Sequence, residues 1–337
     1  MSSSSERRRM EDVALRAGVS QMTVSRALRT PEKVAPATRA RIARVVAELD
    51  YVPDLMAGAL ATRRSKLVAV IVSTLEDSIF AATVAGLTTV LREEGYAVLL
   101  GASGYSAEVE EQLVRAALGR RPDGIVLTSD WHTATARRLL QASGIPVVET
   151  WELPQRPIDL AAGFSNRDAG AAMVRTLHEC GYRRIAFVGT AAEGDRRGRM
   201  RLEGYRAALT ELGIGPPREV ALPVAGAGLT EGPQALRALR AAYPEADAAF
   251  CVVDSLAAGL ILACRRNDVA VPGQLAVAGF GDFAIARPEG LDITTVQVSG
   301  RAIGGYAGEL LLSRLRGEDV DRPVRDLGFS IIRRSSA

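Results

Sequence analysis

From Leu67 onward the chain alternates short, wholly apolar runs with longer amphipathic stretches, a rhythm that few architectures satisfy. A strand that is apolar at every position is buried on both faces, so it belongs in a parallel sheet with helices packed on either side. The pattern predicts strands near 68–72, 97–100, 124–127, 146–149, 161–164, 185–188, 248–253 and 275–279. Ligands of such sheets bind beyond the carboxyl ends of the strands, in the loops that follow them. The 337 residues leave room for a small head and a two-lobed body of about 270 residues.

The first part of the chain follows another pattern. Residues 11–17 place Val13, Ala14 and Ala17 on one side of a short helix that Gly18 can end in the left-handed conformation. Ser20 suits the N-cap of a second helix running to Arg29, and Thr30-Pro31 stops it. At 100° per residue, Val24, Ala27 and Leu28 face inward while Gln21, Met22, Ser25, Arg26 and Arg29 face outward. Pro36 opens a third helix whose Ile42, Val45, Val46 and Leu49 complete the core. Three short helices with a tight glycine turn between the first two form a helix-turn-helix, and its second helix is built to enter a DNA major groove.

Charge agrees with that reading. Residues 1–66 hold 13 Lys and Arg against 7 Asp and Glu, a balance of +6, whereas the remainder carries 29 against 32. A basic head on a mildly acidic body concentrates phosphate attraction at one end. Residues 1–9, MSSSSERRR, lack apolar periodicity and are expected to be disordered, as a basic arm near backbone phosphates. No stretch approaches the roughly 20 apolar residues of a membrane span, and the amino terminus lacks the apolar segment of a secretory signal. The expected location is therefore the cytoplasm. Cys180, Cys251 and Cys264 lack paired spacing and read as reduced thiols, and with only His132 and His178 no metal site or cofactor is expected.

The head's motifs, DVALRAGVS at 12–20, TVSRALR at 23–29 and ELDYVPD at 48–54, resemble the LacI/GalR family of bacterial transcription regulators. The similarity extends nearly to the carboxyl terminus. It implies a helix-turn-helix DNA-binding domain at 10–53, a hinge helix at 54–66 and an effector-binding and dimerisation domain at 67–337. That domain would be periplasmic-binding-protein-like, with crossovers near 165, near 296 and near the carboxyl terminus. The implied partners are a pseudo-palindromic double-stranded operator, a small sugar or sugar-acid effector and a second copy of the chain. The resemblance assigns base contacts to Gln21, Met22 and Arg26, with Thr23, Ser25 and Arg29 completing the DNA-facing set. It also assigns a minor-groove wedge to Leu60 of the hinge, DLMAGALATRRSK, with Arg63, Arg64 and Lys66 near phosphates. Arg9 stands where many relatives carry a capping Thr, which weakens the expected cap of the first helix.

The loops after the strands yield the candidate effector residues. Ser73 and Phe80 follow the first strand, Thr128 and Ser129 the third, and Glu149 ends the fourth. In RMRLEGY at 199–205, Arg201 matches the family's effector-gripping arginine, whose planar fork suits a carboxylate or a pair of hydroxyls. Asp254 and Asp282 are further acceptors, but the chain has Val253 and Gly281 where sugar-binding relatives carry polar and acidic residues. Losing an acid there favours an anionic ligand. MTVSRALRTPEKV at 22–34, PVVE at 146–149, AAYPEADAAFC at 241–251 and RDLGF at 325–329 resemble the gluconate-operon repressor branch, so gluconate or a related aldonate is the expected effector.

Two other classes fit the body alone: a transport-type sugar-binding protein, or a nucleotide-dependent enzyme using the GxGxxA at 279–284 or the glycines at 189, 194 and 198. The basic head argues against the first. Against the second, Pro288 cuts short the helix that a pyrophosphate needs, and the other glycines lack the Lys-Ser/Thr of a phosphate loop. No catalytic residues are expected.

Overall fold

A computed structural model describes residues 8–52, 64–75, 78–190, 195–222 and 228–337, which divide into two compact units meeting at Ser65 and Lys66. Residues 1–7 of the expected arm (1–9) and 54–63 of the expected hinge (54–66), with Leu60 and Arg63, lie outside the described residues, as does Pro53.

The first unit holds three helices, α1 (Met10–Ala17), α2 (Gln21–Arg29) and α3 (Pro36–Glu48). Gly18 ends α1 with φ 61° and ψ 42°, a conformation that costs an L-residue with a side chain but not glycine. Val13, Ala17, Val24, Ile42, Val45 and Tyr51 close one small core between the helices. Arg9 gives α1 no side-chain cap, but its N–H donates to Asp12 Oδ2 at 2.8 Å, so half of a capping box replaces the missing threonine.

The second unit contains two six-stranded sheets. In chain order, β1 (Leu67–Val72), β2 (Ala97–Ala102), β3 (Gly124–Leu127), β4 (Val147–Thr150) and β5 (Leu160–Gly163) join β11 (Val324–Asp326) in the order β11-β5-β4-β3-β1-β2, parallel throughout. The other sheet unites β6 (Ile185–Thr190), β7 (Arg218–Leu222), β8 (Ala248–Cys251), β9 (Ala276–Gly281), β10 (Thr294–Gln297) and β12 (Ser330–Ile332) in the order β12-β10-β9-β8-β6-β7. Only β12 runs antiparallel there. The chain passes between lobes at 164–165, 298–299 and 327–329.

Helices α4 (Ser78–Glu93), α5 (Ala107–Leu118), α6 (Ala134–Ser143) and α11 (Gly300–Leu315) clothe the first lobe. Helices α7 (Asn166–Glu179), α8 (Arg196–Leu212), α9 (Gly232–Ala242) and α10 (Asp254–Arg266) clothe the second. The strands explain this double cover. Val68, Val70 and Val72 of β1 enter one apolar cluster while Ala69 and Ile71 enter another, as a period of two demands of a strand buried on both faces.

One helix pair in each lobe packs backbone to backbone. A methyl group at Gly304 would collide with the Thr83 carbonyl oxygen between α11 and α4, and one at Gly204 with the Arg167 carbonyl between α8 and α7. This approach sets α8 firmly at the lobe boundary, and α8 carries the arginines described below. Among the described residues no helix is long and apolar enough to cross a membrane.

Candidate functional site

On the head, α2 is held at its start by Ser20, whose hydroxyl accepts from Thr23 N–H at 3.2 Å and lies 2.9 Å from the Thr23 hydroxyl. Val24 and Ala27 are buried beneath it. Gln21, Met22 and Arg26 stand exposed, Met22 at 68%, while Thr23 and Ser25 are half-buried at the edge of that face. Thr23 therefore belongs first to the cap. The Arg29 side chain, like Leu60, lies outside what the structure describes. Lys66 is already engaged with the body: its N–H donates to Asp123 Oδ2 (3.0 Å), and its ammonium donates to the Glu94 carbonyl (2.8 Å) and lies over the Tyr96 ring.

Within the body, a cleft open to solvent lies at the carboxyl ends of the first-lobe strands. Ser73, Tyr105, Glu110, Trp131, Glu152 and Arg197 are among its walls. Arg197, which lines the cleft, and Arg201, which does not, stand on one face of α8, four residues apart and so one turn along the helix.

Arg197 reaches across to the first lobe. Its Nε donates to Glu152 Oε1 at 3.1 Å, Nη1 to Ser73 Oγ at 3.5 Å and Nη2 to the Thr128 carbonyl. Ser73 and Thr128 are bound to each other as well, Ser73 N–H donating to Thr128 Oγ1 at 2.8 Å. Arg201 stays in the second lobe, donating from Nε to Asn166 Oδ1 (2.8 Å) and from Nη1 to the Val252 carbonyl (2.7 Å), with its guanidinium 3.5 Å from the Phe280 ring centroid. Both acceptors are neutral. Among the described residues no carboxylate comes within 4.0 Å of Arg201, and burial lowers its pKa to about 10, leaving it charged at neutral pH.

The other expected effector residues divide. Ser129 sits at the cleft rim, where its hydroxyl accepts from Trp131 N–H at 3.0 Å. Phe80 is 4% exposed; it packs edge-on to Trp151 and begins a row continued by Phe164 and Phe280 beneath the cleft. Its ring centroid lies 5.4 Å from the Arg197 guanidinium, so it packs behind the cleft against that arginine.

Glu149, Asp254 and Asp282 all turn away. Glu149 is fully buried and accepts from Ile158 N–H (2.5 Å) and from His132 Nε2 (3.2 Å), while His132 Nδ1 faces Glu110 Oε1 at 2.5 Å. Burial opposes the charge on His132, but the hydrogen bonds to Glu110 and Glu149 outweigh it and push the pKa up to about 9. Asp254 opens α10 and accepts from the Thr295 hydroxyl (2.5 Å) and Phe283 N–H (2.7 Å); burial pushes its carboxyl up to about 6. Asp282 accepts from Arg334 (2.6 Å), Gln297 (2.7 Å) and Arg287 (2.9 Å); burial is overcome and the carboxyl lies below its usual range.

Sequence reading missed Arg197 and Glu152. The spacing of the two arginines by four carried the signal for Arg197; nothing local marks Glu152. The GxGxxA at 279–284 runs into a single 3-10 turn, Ala284–Ala286, instead of an α-helix, so it lacks the row of N–H groups that a pyrophosphate requires.

A three-helix DNA-reading head on a two-lobed, ligand-cleft body defines a ligand-responsive transcriptional regulator. The chain belongs to the lacI family of bacterial regulatory proteins, whose model matches residues 9–54, while a periplasmic binding protein-like domain matches 174–337. It is 33% identical to the HTH-type transcriptional regulator GntR of Escherichia coli (strain K12) over 322 residues, 96% of each chain. It is 36% identical to the GntR regulator of Pseudomonas aeruginosa over 97% of this chain and 95% of that one. A crystal structure of a LacI-family transcriptional regulator from Silicibacter pomeroyi superposes with a TM-score of 0.90 at 33% identity, covering 98% of this chain and 99% of that one.

Proposed function

We propose that gluconate or a related aldonate is the effector of this regulator, held in the interlobe cleft with its carboxylate on Arg201. One observation carries the reading: Arg201 is a part-buried guanidinium whose hydrogen bonds all go to neutral acceptors, with Asp195 and Glu152 acting on it only from beyond ion-pair distance. A buried charge is costly unless it is paired. A carboxylate ligand supplies the missing partner, and a neutral sugar does not. Arg197 already has Glu152, so the demand falls on Arg201.

On DNA, Arg26 reads a guanine, Gln21 an adenine and Met22 a thymine methyl, because those are the groups each side chain can match in the major groove. A single short helix offers few base contacts, so the chain acts as a homodimer on an inverted repeat. The effector works by linkage: a ligand that prefers one lobe arrangement biases the state competent for operator binding. The family and the head favour this over a transport role. The relatives are transcriptional regulators, which favours a regulator without catalytic activity.

Titration calorimetry of the full chain with gluconate, glucose and sorbitol tests the proposal. Gluconate is expected to bind most tightly, and Arg201→Ala to abolish that binding while operator affinity stays unchanged. Tight binding of a neutral sugar with none of the acid contradicts it.

A further inference from the structure

We propose that Glu152 reads the hydroxyl groups of the effector, which then lies across the cleft with its charged end on the second lobe and its polyol chain against the first. The orientation rests on the sugar-acid reading above; the role of Glu152 does not. Glu152 follows β4 and is 3% exposed. Its Oε1 is satisfied twice, by Arg197 Nε at 3.1 Å and Asn166 Nδ2 at 3.0 Å. Its Oε2 is buried and accepts no hydrogen bond among the described residues, although Glu152 lines the cleft wall.

An ionised carboxylate can accept about four hydrogen bonds, and a buried oxygen without any is a standing demand for a donor. The pairing with Arg197 decides which donor. That ion pair neutralises the local charge, so an ammonium ligand gains little net attraction, while an anion gains none because Oε2 has no proton to offer. A neutral hydroxyl fits both conditions. Burial, with Asp130 nearby, raises the Glu152 carboxyl, while Arg197 and Asn166 pull in the opposite direction. Arg201 and Glu152 belong to opposite lobes, so a ligand with a carboxylate at one end and hydroxyls along its length touches both. A site built to bond a hydroxyl also rejects an analogue lacking it, because its own polar atom is left unpaired.

The experiment is calorimetry on the full chain with gluconate, sorbitol and hexanoate, for wild type, Glu152→Gln, Glu152→Asp and Arg201→Ala. Operator binding without ligand and the thermal midpoint verify that each variant is folded. Glu152→Gln keeps the shape but presents an amide N–H₂ where the ligand needs an acceptor, so affinity for hydroxylated ligands is expected to fall about ten- to a hundredfold. Hexanoate is expected to bind poorly to every variant. If Glu152→Gln fails to fold, Glu152→Asp, which withdraws the carboxylate by one methylene, is expected to show the same loss. Unchanged affinity of the folded variant for every hydroxylated ligand overturns the inference, Oε2 then facing an internal water only.

The two readings fail separately. Gluconate binding that depends on Arg201 but not on Glu152 defeats this inference alone. Sorbitol binding that depends on Glu152 but not on Arg201 upholds it and defeats the sugar-acid reading. A wild-type chain that binds none of the hydroxylated ligands overturns both.

Discussion

Arg197 and Arg201 occupy successive turns of α8, yet their surroundings assign them opposite energetic roles. Arg197 completes a buried ion pair with Glu152, so Arg197→Met strands a carboxylate and is expected to cost about 3–5 kcal/mol of stability. Arg201 has no carboxylate within ion-pair distance among the described residues, Asp195 and Glu152 acting on it only from further away, and Arg201→Met removes a less fully compensated charge, losing two hydrogen bonds and a ring contact in exchange. Urea denaturation of the unliganded protein is expected to give Arg201→Met the higher midpoint of the two; the reverse order would mean that Arg201 is structural. Arg201 stands out in the sequence because a family motif surrounds it, and its effector role is the proposal made above. Glu149, Asp254 and Asp282 were misplaced for a physical reason: polar residues at strand ends have two directions open, and the partners that decide lie far along the chain. Thr295 and Phe283 hold Asp254, and Arg334 holds the buried Asp282.

Elements were more legible than side chains. The apolar runs around β1, β3, β6, β8 and β9 marked strands buried on both faces, whereas β2, marked by the same pattern, is an edge strand with Leu100 exposed. The strands that escaped, β7, β10, β11 and β12, are polar, short or at a sheet edge, where pairing is decided by neighbours instead of by local apolarity. The cluster joining α5, the loop after β3 and β4 makes a prediction at this scale. The folded-state pKa of His132, about 9, lies above the ordinary value of 6.5. Its imidazolium therefore stabilises the fold fully below pH 6.5, and that contribution is lost as pH rises through 9. Thermal midpoints measured from pH 6 to 9.5 are expected to decline across that window for wild type. In His132→Gln the decline is expected to flatten, from a starting point lower by about 3–5 kcal/mol, since Glu110 and Glu149 lose the cation between them. An equally steep decline in the variant would place the responsible group elsewhere.

At the scale of the whole molecule, charge and ligand act on different units. The balance of +6 over residues 1–66 predicts operator affinity that falls by orders of magnitude between low and physiological salt, through counterion release, in wild type and Arg201→Ala alike. In the proposed function the effector acts instead through the cleft, by preferring one arrangement of the lobes, and moving such a switch fully needs a preference of roughly 10⁴ between states. Fluorescence anisotropy of a labelled operator, titrated with the full chain at fixed salt with and without gluconate, joins the two units in one measurement. The wild-type chain is expected to change its operator affinity at least about tenfold on adding gluconate, a coupling of about 1.4 kcal/mol. Arg201→Ala is expected to bind the operator equally well in both conditions. An operator affinity indifferent to gluconate in wild type, or lost at low salt in Arg201→Ala, would contradict the account.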